Sequence, residues 1–298
     1  MLDARNIYRK VSRSVCDFSP EQQKNIAAIV WLYRGQSERF LKLVESYLAR
    51  ANADSQAAQE PIVGFEDALN KLVEMIKPLA LLKRENDPLA EPWAELAVSR
   101  ATLTKDIEAF GNEAAARAIA WNGVGRDNAV LNSARVALHP LADQCRDLTK
   151  QIDLAAKLVG RVIEVAVKQL DARNSDVWDN GNVNKARKAL ELARADAVEA
   201  LRRARYFVRQ ADWLQERFPE AKLRDVEGLV KLVDRTTIKA HDWSLTPGRY
   251  VGVAPEEHDE DFDFEEALRA IHIDLNGLNE EAAELAARIA RNFEELGA

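Results

Sequence analysis

The chain has 298 residues, of which 31% are charged and 47% hydrophobic, and its formal net charge is −7. That charge argues against a wholly basic nucleic-acid binder, and no apolar run approaches the roughly 20 residues of a membrane span. The N-terminus lacks the apolar core of a signal peptide, and two distant cysteines, Cys16 and Cys145, exclude a disulfide framework. We therefore expect a cytoplasmic protein, and the scarcity of glycine and proline favours helices.

The first predicted helix begins at Pro20, because Ser19 can cap it and Gln22 can complete a capping box. Apolar residues at helical spacing predict one helix as far as about Arg50. The predicted stripe comprises Ile26, Ile29, Val30, Tyr33, Phe40, Leu41, Val44 and Leu48. The polar, alanine-rich residues 51–61 that follow indicate a linker.

Two further helices are predicted at about 65–83 and 92–121, and Pro78 should kink or end the first of them. The glycines at 123 and 125 then break the chain. A nucleotide-binding loop needs a strand before its glycines, whereas the sequence before these glycines favours a helix. We therefore predict a helix end here rather than a cofactor site, since glycine is favoured just past a helix C-terminus.

The next two helices are predicted to be the longest. In both, apolar or small residues alternate by three and four positions, which is typical of helices that pack along their length. The first contains Leu131, Ala134, Leu138, Leu141, Cys145, Leu148, Ile152, Ala155, Val159, Val162 and Ala166, and the second contains Leu190, Ala193, Ala197, Leu201, Ala204, Val208 and Ala211. With a kink or new start at Pro140 and a turn at 174–182, they predict an antiparallel hairpin of roughly 60 Å, because an α-helix rises about 1.5 Å per residue.

The rest of the chain combines a turn-rich block, an acidic stretch and a last helix. Residues 223–233 predict a strand or turn, and residues 234–241 predict one or two helical turns. Residues 255–298 hold 14 acidic and 3 basic residues, a net charge of −11. The last helix should begin at a cap, Asp263, and its apolar residues repeat at strict four–three spacing. They are Phe264, Leu268, Ile271, Leu275, Leu278, Ala282, Leu285 and Ile289.

Two ordered strings of residues resemble a known family. The first is Asp3-Ala4-Arg5-Asn6-Ile7-Tyr8-Arg9-Lys10-Val11, followed at a distance by Trp31-Leu32-Tyr33-Arg34-Gly35. The second is Trp243-Ser244-Leu245-Thr246-Pro247-Gly248-Arg249-Tyr250-Val251-Gly252-Val253, which leads into the acidic stretch and the last helix. In this order they resemble the C-terminal region of the modification subunit of type I restriction-modification systems. The long hairpin is similar but less specific, and residues 51–125 add little.

The resemblance implies a DNA adenine-N6 methyltransferase subunit that uses S-adenosylmethionine, with its catalytic domain before the first string. Such enzymes hold a flipped adenine with an Asp or Asn followed by Pro-Pro and an aromatic residue. No Pro-Pro occurs in this sequence, so no catalytic or cofactor residue can be carried over. We expect a C-terminal fragment without methyltransferase activity, either an artificially shortened chain or the product of a split gene.

The resemblance also implies a partner for the last helix, since the terminal helices of modification subunits are thought to pack on long helices of the specificity subunit. The predicted partner-binding residues, which we call the seam, are Leu268, Ile271, Leu275, Leu278, Leu285 and Ile289. The repeat by itself leaves open whether this helix instead folds back on the chain's own hairpin. Glu280, Glu281 and Glu284 lie off the seam and are predicted to influence partner choice by charge.

Four arginines each lie one position after an apolar or small residue of the repeat in the second long helix, so they share one flank of that helix. This arginine row consists of Arg194, Arg202, Arg205 and Arg209, and it is the candidate contact for the DNA backbone. The alternative is an ion-paired or solvated helix face, because Glu199 can pair with Arg202 and Arg203, and Asp212 with Arg209.

No other pattern predicts a reactive site. The four histidines have no metal-ligand spacing, and the acidic run 256–263 lacks the ligand spacing of a calcium loop, so it indicates a solvated linker. No metal or cofactor is therefore expected in this chain. Arg249 and Tyr250 are expected to stabilise their turn by hydrogen bonding and stacking.

These observations predict an all-α protein with a long antiparallel helical hairpin, additional N-terminal helices and a coiled-coil-like C-terminal helix. The predicted segments are 1–50, 51–125, 126–218, 219–262 and 263–298. The leading hypothesis is a scaffold that docks to the specificity subunit and helps to hold DNA in a complex with the restriction subunit. The alternatives are a non-specific DNA-backbone-binding module and a self-associating helical protein, for example a homodimer. No membrane partner is expected.

Overall fold

The computed structural model describes residues 1–5, 7–12, 15–82, 84–122 and 125–253. In the last part of the chain it describes residues 268, 271, 275, 278, 279, 282, 283, 285–289 and 291, all of them helical. Apart from one pair of two-residue strands, the described residues form helices and turns, which confirms the all-α class. None of the helices among them combines the length and the apolar character needed to cross a membrane.

Within the described residues up to 253 the structure has seven α-helices and two short strands. The helices are α1 (Pro20–Tyr33), α2 (Ser37–Ala57), α3 (Gln59–Ala80), α4 (Ala90–Trp121), α5 (Asn128–Gln169), α6 (Asn180–Arg217) and α7 (Arg235–Ala240). The strands β1 (Arg9–Lys10) and β2 (Cys16–Asp17) are antiparallel. The chain folds into two compact units, one formed by residues 1–37 and 222–298 and the other by residues 38–221.

The predicted start of the first helix is confirmed. Ser19 Oγ accepts a hydrogen bond from the Gln22 backbone N–H at 3.2 Å, and the Gln22 side chain accepts from the Ser19 N–H at 2.8 Å. These two bonds form a capping box, in which two N–H groups that the helix leaves unpaired find partners.

The prediction that this helix continues to Arg50 is wrong, because the chain turns at Gly35. Gly35 has a φ of +70°, and its N–H bonds to the Leu32 carbonyl. This left-handed ending, which glycine adopts without steric cost, separates α1 from α2. It also breaks the periodicity of the predicted stripe, so that Val30 and Tyr33 are exposed rather than buried.

The predicted linker at 51–61 is also wrong, since α2 and α3 meet within it. Asn52 and Ser55 are buried, and they donate side-chain hydrogen bonds to the carbonyls of Leu48 and Ala51 at 2.9 and 2.7 Å. Small polar side chains that bond back to their own helix satisfy themselves locally, so a polar composition does not require a loop. Pro61 lies in the first turn of α3, where its missing N–H costs no intrahelical bond.

Helices α3 to α6 form a helical bundle within residues 38–221. α6 packs along both α3 and α5, and α5 also packs along α4. The predicted apolar residues of α5 and α6 are buried with two exceptions, Ala134 and Ala193. Ala197, Ala204 and Ala211 are among the buried residues of α6, and their small side chains let neighbouring backbones approach closely.

The structure agrees in part with the predictions for the two prolines inside helices and for the turn between the two long helices. α3 ends two residues after Pro78, as expected, whereas α5 is one helix of 42 residues that continues through Pro140. Pro140 and Val136, whose carbonyl loses its helical partner, are both exposed, so proline sits on the solvent side of α5. The turn predicted at 174–182 lies earlier in the chain, at 170–179, because α5 ends at Gln169 and α6 begins at Asn180, where Asp179 accepts a capping bond from the Asn182 N–H at 2.9 Å.

The described parts of the other unit are joined by main-chain hydrogen bonds between the N-terminus and the segment after α6. The Asp3 N–H donates to the Leu229 carbonyl at 2.8 Å, and the Lys231 N–H donates to the Met1 carbonyl at 3.0 Å. The predicted strand or turn at 223–233 contains a tight turn closed by a bridge between Val226 and Val230. The helical turns predicted at 234–241 correspond to α7.

Candidate interaction surfaces

The seam on the last helix is exposed. The six seam residues are helical, and each keeps between 46% and 56% of its surface accessible. Ala282, at the remaining described position of the repeat, is exposed as well. The other predicted features of this region, namely Asp263, Phe264, the acidic run 256–263, and Glu280, Glu281 and Glu284, lie outside the described residues.

The spacing and exposure of the seam place an apolar stripe along one side of the described helical residues. Single exposed leucines are common on protein surfaces, but apolar residues that repeat every three and four positions place their side chains along one line on a helix. A helix that covers this line of side chains excludes water from all of them at once. Complete burial of a Leu or Ile side chain contributes about 1.5–3 kcal/mol, so covering six half-exposed residues supplies roughly 5 kcal/mol or more.

The arginine row lies on α6, as predicted, but its four side chains differ in their exposure to solvent. Arg194, Arg202 and Arg205 are partly buried, whereas Arg209 is exposed. Arg194 binds Asp153 on α5 at 2.6 Å and Glu191 at 3.1 Å. The hydrogen bond that Arg194 donates to Asp153 is the main cause that raises the pKa of Arg194.

The interactions of the row favour structural roles for its first three members. Arg202 and Arg205 also have interaction partners within the structure. The predicted pairing of Glu199 with Arg203 is present at 3.8 Å. Asp212, which the sequence assigned to Arg209, instead binds Arg135 on α5 at 2.5 Å and His139 at 2.7 Å. A cation that already neutralises a carboxylate has less charge to offer a phosphate.

Arg135 is a residue that the sequence interpretation missed. Its side chain is nearly buried, and it bonds to Asp212, to Glu216 at 3.3 Å and to Asn132. A buried cation needs such partners because desolvation of an unpaired charge is very costly. The register of the two antiparallel helices could have revealed the role of Arg135. Residues that face each other across antiparallel helices have residue numbers with a constant sum. The pairs Arg135–Asp212 and Asp153–Arg194 share the same sum.

The described residues contain no group of three or more His, Cys, Asp or Glu side chains that could hold a metal ion. Cys145 is buried between the helices of the bundle, and burial raises the pKa of its thiol to about 12 against the opposing influence of the Arg205 charge. The thiolate is the reactive form of cysteine, so this residue is a structural apolar side chain rather than a nucleophile.

The two thiols should therefore differ sharply in reactivity. With a thiol reagent at pH 8, we expect one thiol per folded chain, that of the exposed Cys16, to react quickly. A shift from the ordinary 9.0 to about 12 reduces the thiolate of Cys145 on the order of a thousandfold, so it should react only after denaturation. Cys16→Ser is the control, and rapid modification of the folded variant would contradict the burial of Cys145.

A shallow apolar groove runs between α4 and α5. Ala94, Val98, Thr102, Leu154 and Leu158 contribute to its lining, and its volume is about 710 Å³. Val98 and Leu154 are the most exposed of its apolar side chains. Glu91, Glu95, Ser99 and Gln151 complete the lining, and the Glu95 carboxylate pairs with Arg161 at 2.9 Å.

The block after α7 is an ordered turn. Tyr250 is buried, its hydroxyl donates to the Ser244 carbonyl, and its ring contacts the His241 ring edge-on at 5.2 Å. This confirms the predicted role of Tyr250, whereas the Arg249 side chain is exposed. Asp234 caps α7 by accepting hydrogen bonds from Thr237, and these bonds lower the pKa of Asp234.

Comparisons of this chain with protein-family models, with curated proteins and with solved structures gave no match. The features that bear on function are therefore its own surfaces: the exposed seam, the largely engaged arginine row, and the turn-rich block with its exposed side chains.

Proposed function

We propose that this chain is a helical scaffold, the C-terminal region of a type I modification subunit, and that its seam docks to the specificity subunit. The exposed seam is the observation that supports this most directly, because six aligned apolar side chains need a covering helix. The resemblance of the two end strings to modification subunits supports the choice of partner. The bundle of residues 38–221 would serve as the rigid support in that assembly.

The charge of the last segment favours a different partner over a second copy of this chain. Residues 255–298 carry a net charge of −11, so two associating tails would bring two such charges together. Like charges at the flanks of a coiled coil oppose pairing, whereas opposite charges favour it. The proposed partner therefore presents apolar helices with basic flanks, and the homodimer is the less favoured alternative.

The scaffold is proposed to act without chemistry of its own. The adenine-binding motif of the catalytic domain is absent from the sequence, so methyl transfer from S-adenosylmethionine would belong to other parts of the enzyme. DNA would be held by the complete assembly with the restriction and specificity subunits. The engaged state of Arg194 argues against the arginine row as an independent clamp.

The direct test is to mix the purified chain with the specificity subunit and to measure complex formation by calorimetry and gel filtration. We expect a stable complex with a Kd in the micromolar range or tighter. Light scattering of each component by itself provides the control for self-association. Failure to form a complex at high micromolar concentration would remove the docking role, and a stable homodimer with no heterocomplex would favour the self-association alternative.

A further inference from the structure

We propose that Trp243, together with Arg235, Lys239 and Arg249, forms a contact surface for single-stranded nucleic acid. The indole would stack on an unpaired base, and the three cations would contact the phosphates on either side. This surface lies in the unit that contains the N-terminus, in the turn-rich block after α6. It is separate from the seam and from the arginine row, and the inference does not rest on the proposed docking role.

The backbone conformation at the C-terminal end of α7 keeps the Trp243 side chain exposed to solvent. Its N–H bonds to the Ile238 carbonyl at 3.0 Å, and the Asp242 N–H bonds to the Lys239 carbonyl at 3.1 Å, which is the bond pattern of a Schellman ending. The position after the helix that glycine normally occupies is Asp242 here, with a φ of +53°. Trp243 follows with a φ of +55°, and 62% of its surface is exposed.

This arrangement is costly for a merely structural tryptophan. Two consecutive non-glycine residues in the left-handed region are sterically unfavourable, and such strain concentrates at functional sites. A tryptophan is the side chain that gains most from burial, yet here the strained backbone leaves its ring accessible. Leu245, with 68% of its surface exposed, provides an adjacent apolar contact for the edge of a base.

The surroundings of Trp243 are cationic. Arg235 and Lys239 are four residues apart on α7, so their side chains share one face of that helix with Cβ atoms about 5–6 Å apart. Both are exposed, as is Arg249 in the 3-10 turn that follows. Aromatic rings beside flexible cations are the arrangement by which proteins bind single strands without sequence preference.

Four acidic residues of the same unit are occupied by structural bonds. Asp3 binds Arg5, Asp17 binds Arg9, Asp225 accepts from the Leu232 N–H, and Asp234 caps α7. Residues 1–37 and 222–253 together carry 12 basic and 7 acidic residues, whereas residues 38–221 carry 27 basic and 28 acidic. Residues 255–298 of the same unit carry a net charge of −11, so the positive charge that matches a polyanion is confined to residues 1–37 and 222–253, which include Trp243.

A single strand fits the surface better than a duplex. In duplex DNA the faces of the bases are stacked on one another, so an indole can reach them only if the helix is distorted. Unpaired bases offer their faces without that cost, and each stacked base contributes about 1–3 kcal/mol. A protein partner that buries Trp243 as an apolar side chain is the competing occupant, and it is distinguished by the substitution to leucine.

The test uses the full chain and a fluorescently labelled oligo-thymidine strand, with binding followed by anisotropy between low and moderate salt. We expect micromolar binding at low salt that weakens as salt rises. Trp243→Leu should raise the Kd between about 5-fold and 100-fold, and Trp243→Phe should retain most of the affinity because it keeps an aromatic face. Unfolding midpoints of both variants should remain near that of the parent, since the ring is largely exposed.

The charge component has a matched control. Arg235→Ala with Lys239→Ala should reduce the slope of log Kd against log salt by about 1.4, the value for two lost phosphate contacts on a single strand. Lys185→Ala with Lys188→Ala removes the same charge from exposed positions on α6 and should leave the slope unchanged.

Four results would overturn the proposal. The first is that the parent chain does not bind at low salt, and the second is that Trp243→Leu binds as tightly as the parent. The third is that the two lysine-containing double variants change the salt dependence of Kd equally. The fourth is that a matched duplex binds more tightly than the single strand. Binding of the specificity subunit by Trp243→Leu reports separately on the docking role, so either proposal can fail without the other.

Discussion

Replacing Leu275 and Leu278 together by aspartate is expected to abolish binding to the specificity subunit and to leave thermal unfolding of the chain unchanged. Both residues lie in the middle of the seam and are about half exposed. In the proposed complex they would be buried, and each buried leucine contributes about 1.5–3 kcal/mol. Their loss, with the cost of desolvating two carboxylates, should weaken the Kd by at least about 100-fold.

Isothermal titration calorimetry with the specificity subunit measures this change, and circular dichroism checks the fold. The control is Ala283→Asp with Ala287→Asp, which adds the same charge to the same helix at exposed positions away from the seam. If charge alone governed docking, both double variants would bind equally weakly. If the seam variant binds like the parent, the last helix is not the docking element, and the proposed function loses its main support.

The long hairpin was predictable because one periodic signal dominates it. Its apolar and small residues keep three–four spacing over the length of both helices, and nearly all of them are buried in α5 and α6. A pattern sustained over so many turns outweighs a local breaker such as Pro140, which lies on the solvent side. The same periodicity predicted the seam, whose described residues are helical and aligned.

The N-terminal half was harder to predict because short-range signals there compete. Gly35 ends α1 by a left-handed turn, although the apolar residues on either side can be fitted to one continuous stripe. Residues 51–61 have the composition of a loop, yet Asn52 and Ser55 are buried and bonded to their own helix. The composition of a segment indicates only how polar it is on average. It does not show that these side chains bond to carbonyl groups one turn away in their own helix.

The candidate sites were predictable only where they depend on spacing within one helix. The arginine row lies where its spacing placed it, but the partner of Arg194 is on α5 and is invisible to a rule that pairs residues along one helix. The exposure of Trp243 likewise depends on the backbone conformation of Asp242, which residue type does not indicate. Pairing across helices needs their register, which is known only once the turn between them is fixed.

Removal of the Asp212 carboxylate should strongly destabilise the bundle of residues 38–221. The Arg135 side chain is 10% exposed and binds Asp212 at 2.5 Å, while its second acid, Glu216, lies at 3.3 Å and is largely exposed. Breaking a buried ion pair by removing one partner costs about 3–5 kcal/mol, because the remaining charge stays desolvated. The surviving contact with Glu216 offsets part of that, so we expect Asp212→Ala to lower the free energy of unfolding by roughly 2–4 kcal/mol in urea denaturation.

A surface pair provides the matched comparison. Glu164 and Lys168 form an exposed i, i+4 pair on α5, and Glu164→Ala should leave the free energy of unfolding almost unchanged because solvent screens an exposed pair. A second variant separates the ion pair from packing: Arg135→Met with Asp212→Leu removes both charges and keeps apolar volume, so it should recover most of the stability lost in Asp212→Ala. If the double variant is as unstable as the single one, the loss comes from packing or from the His139 contact, and the desolvated charge of Arg135 is not its cause.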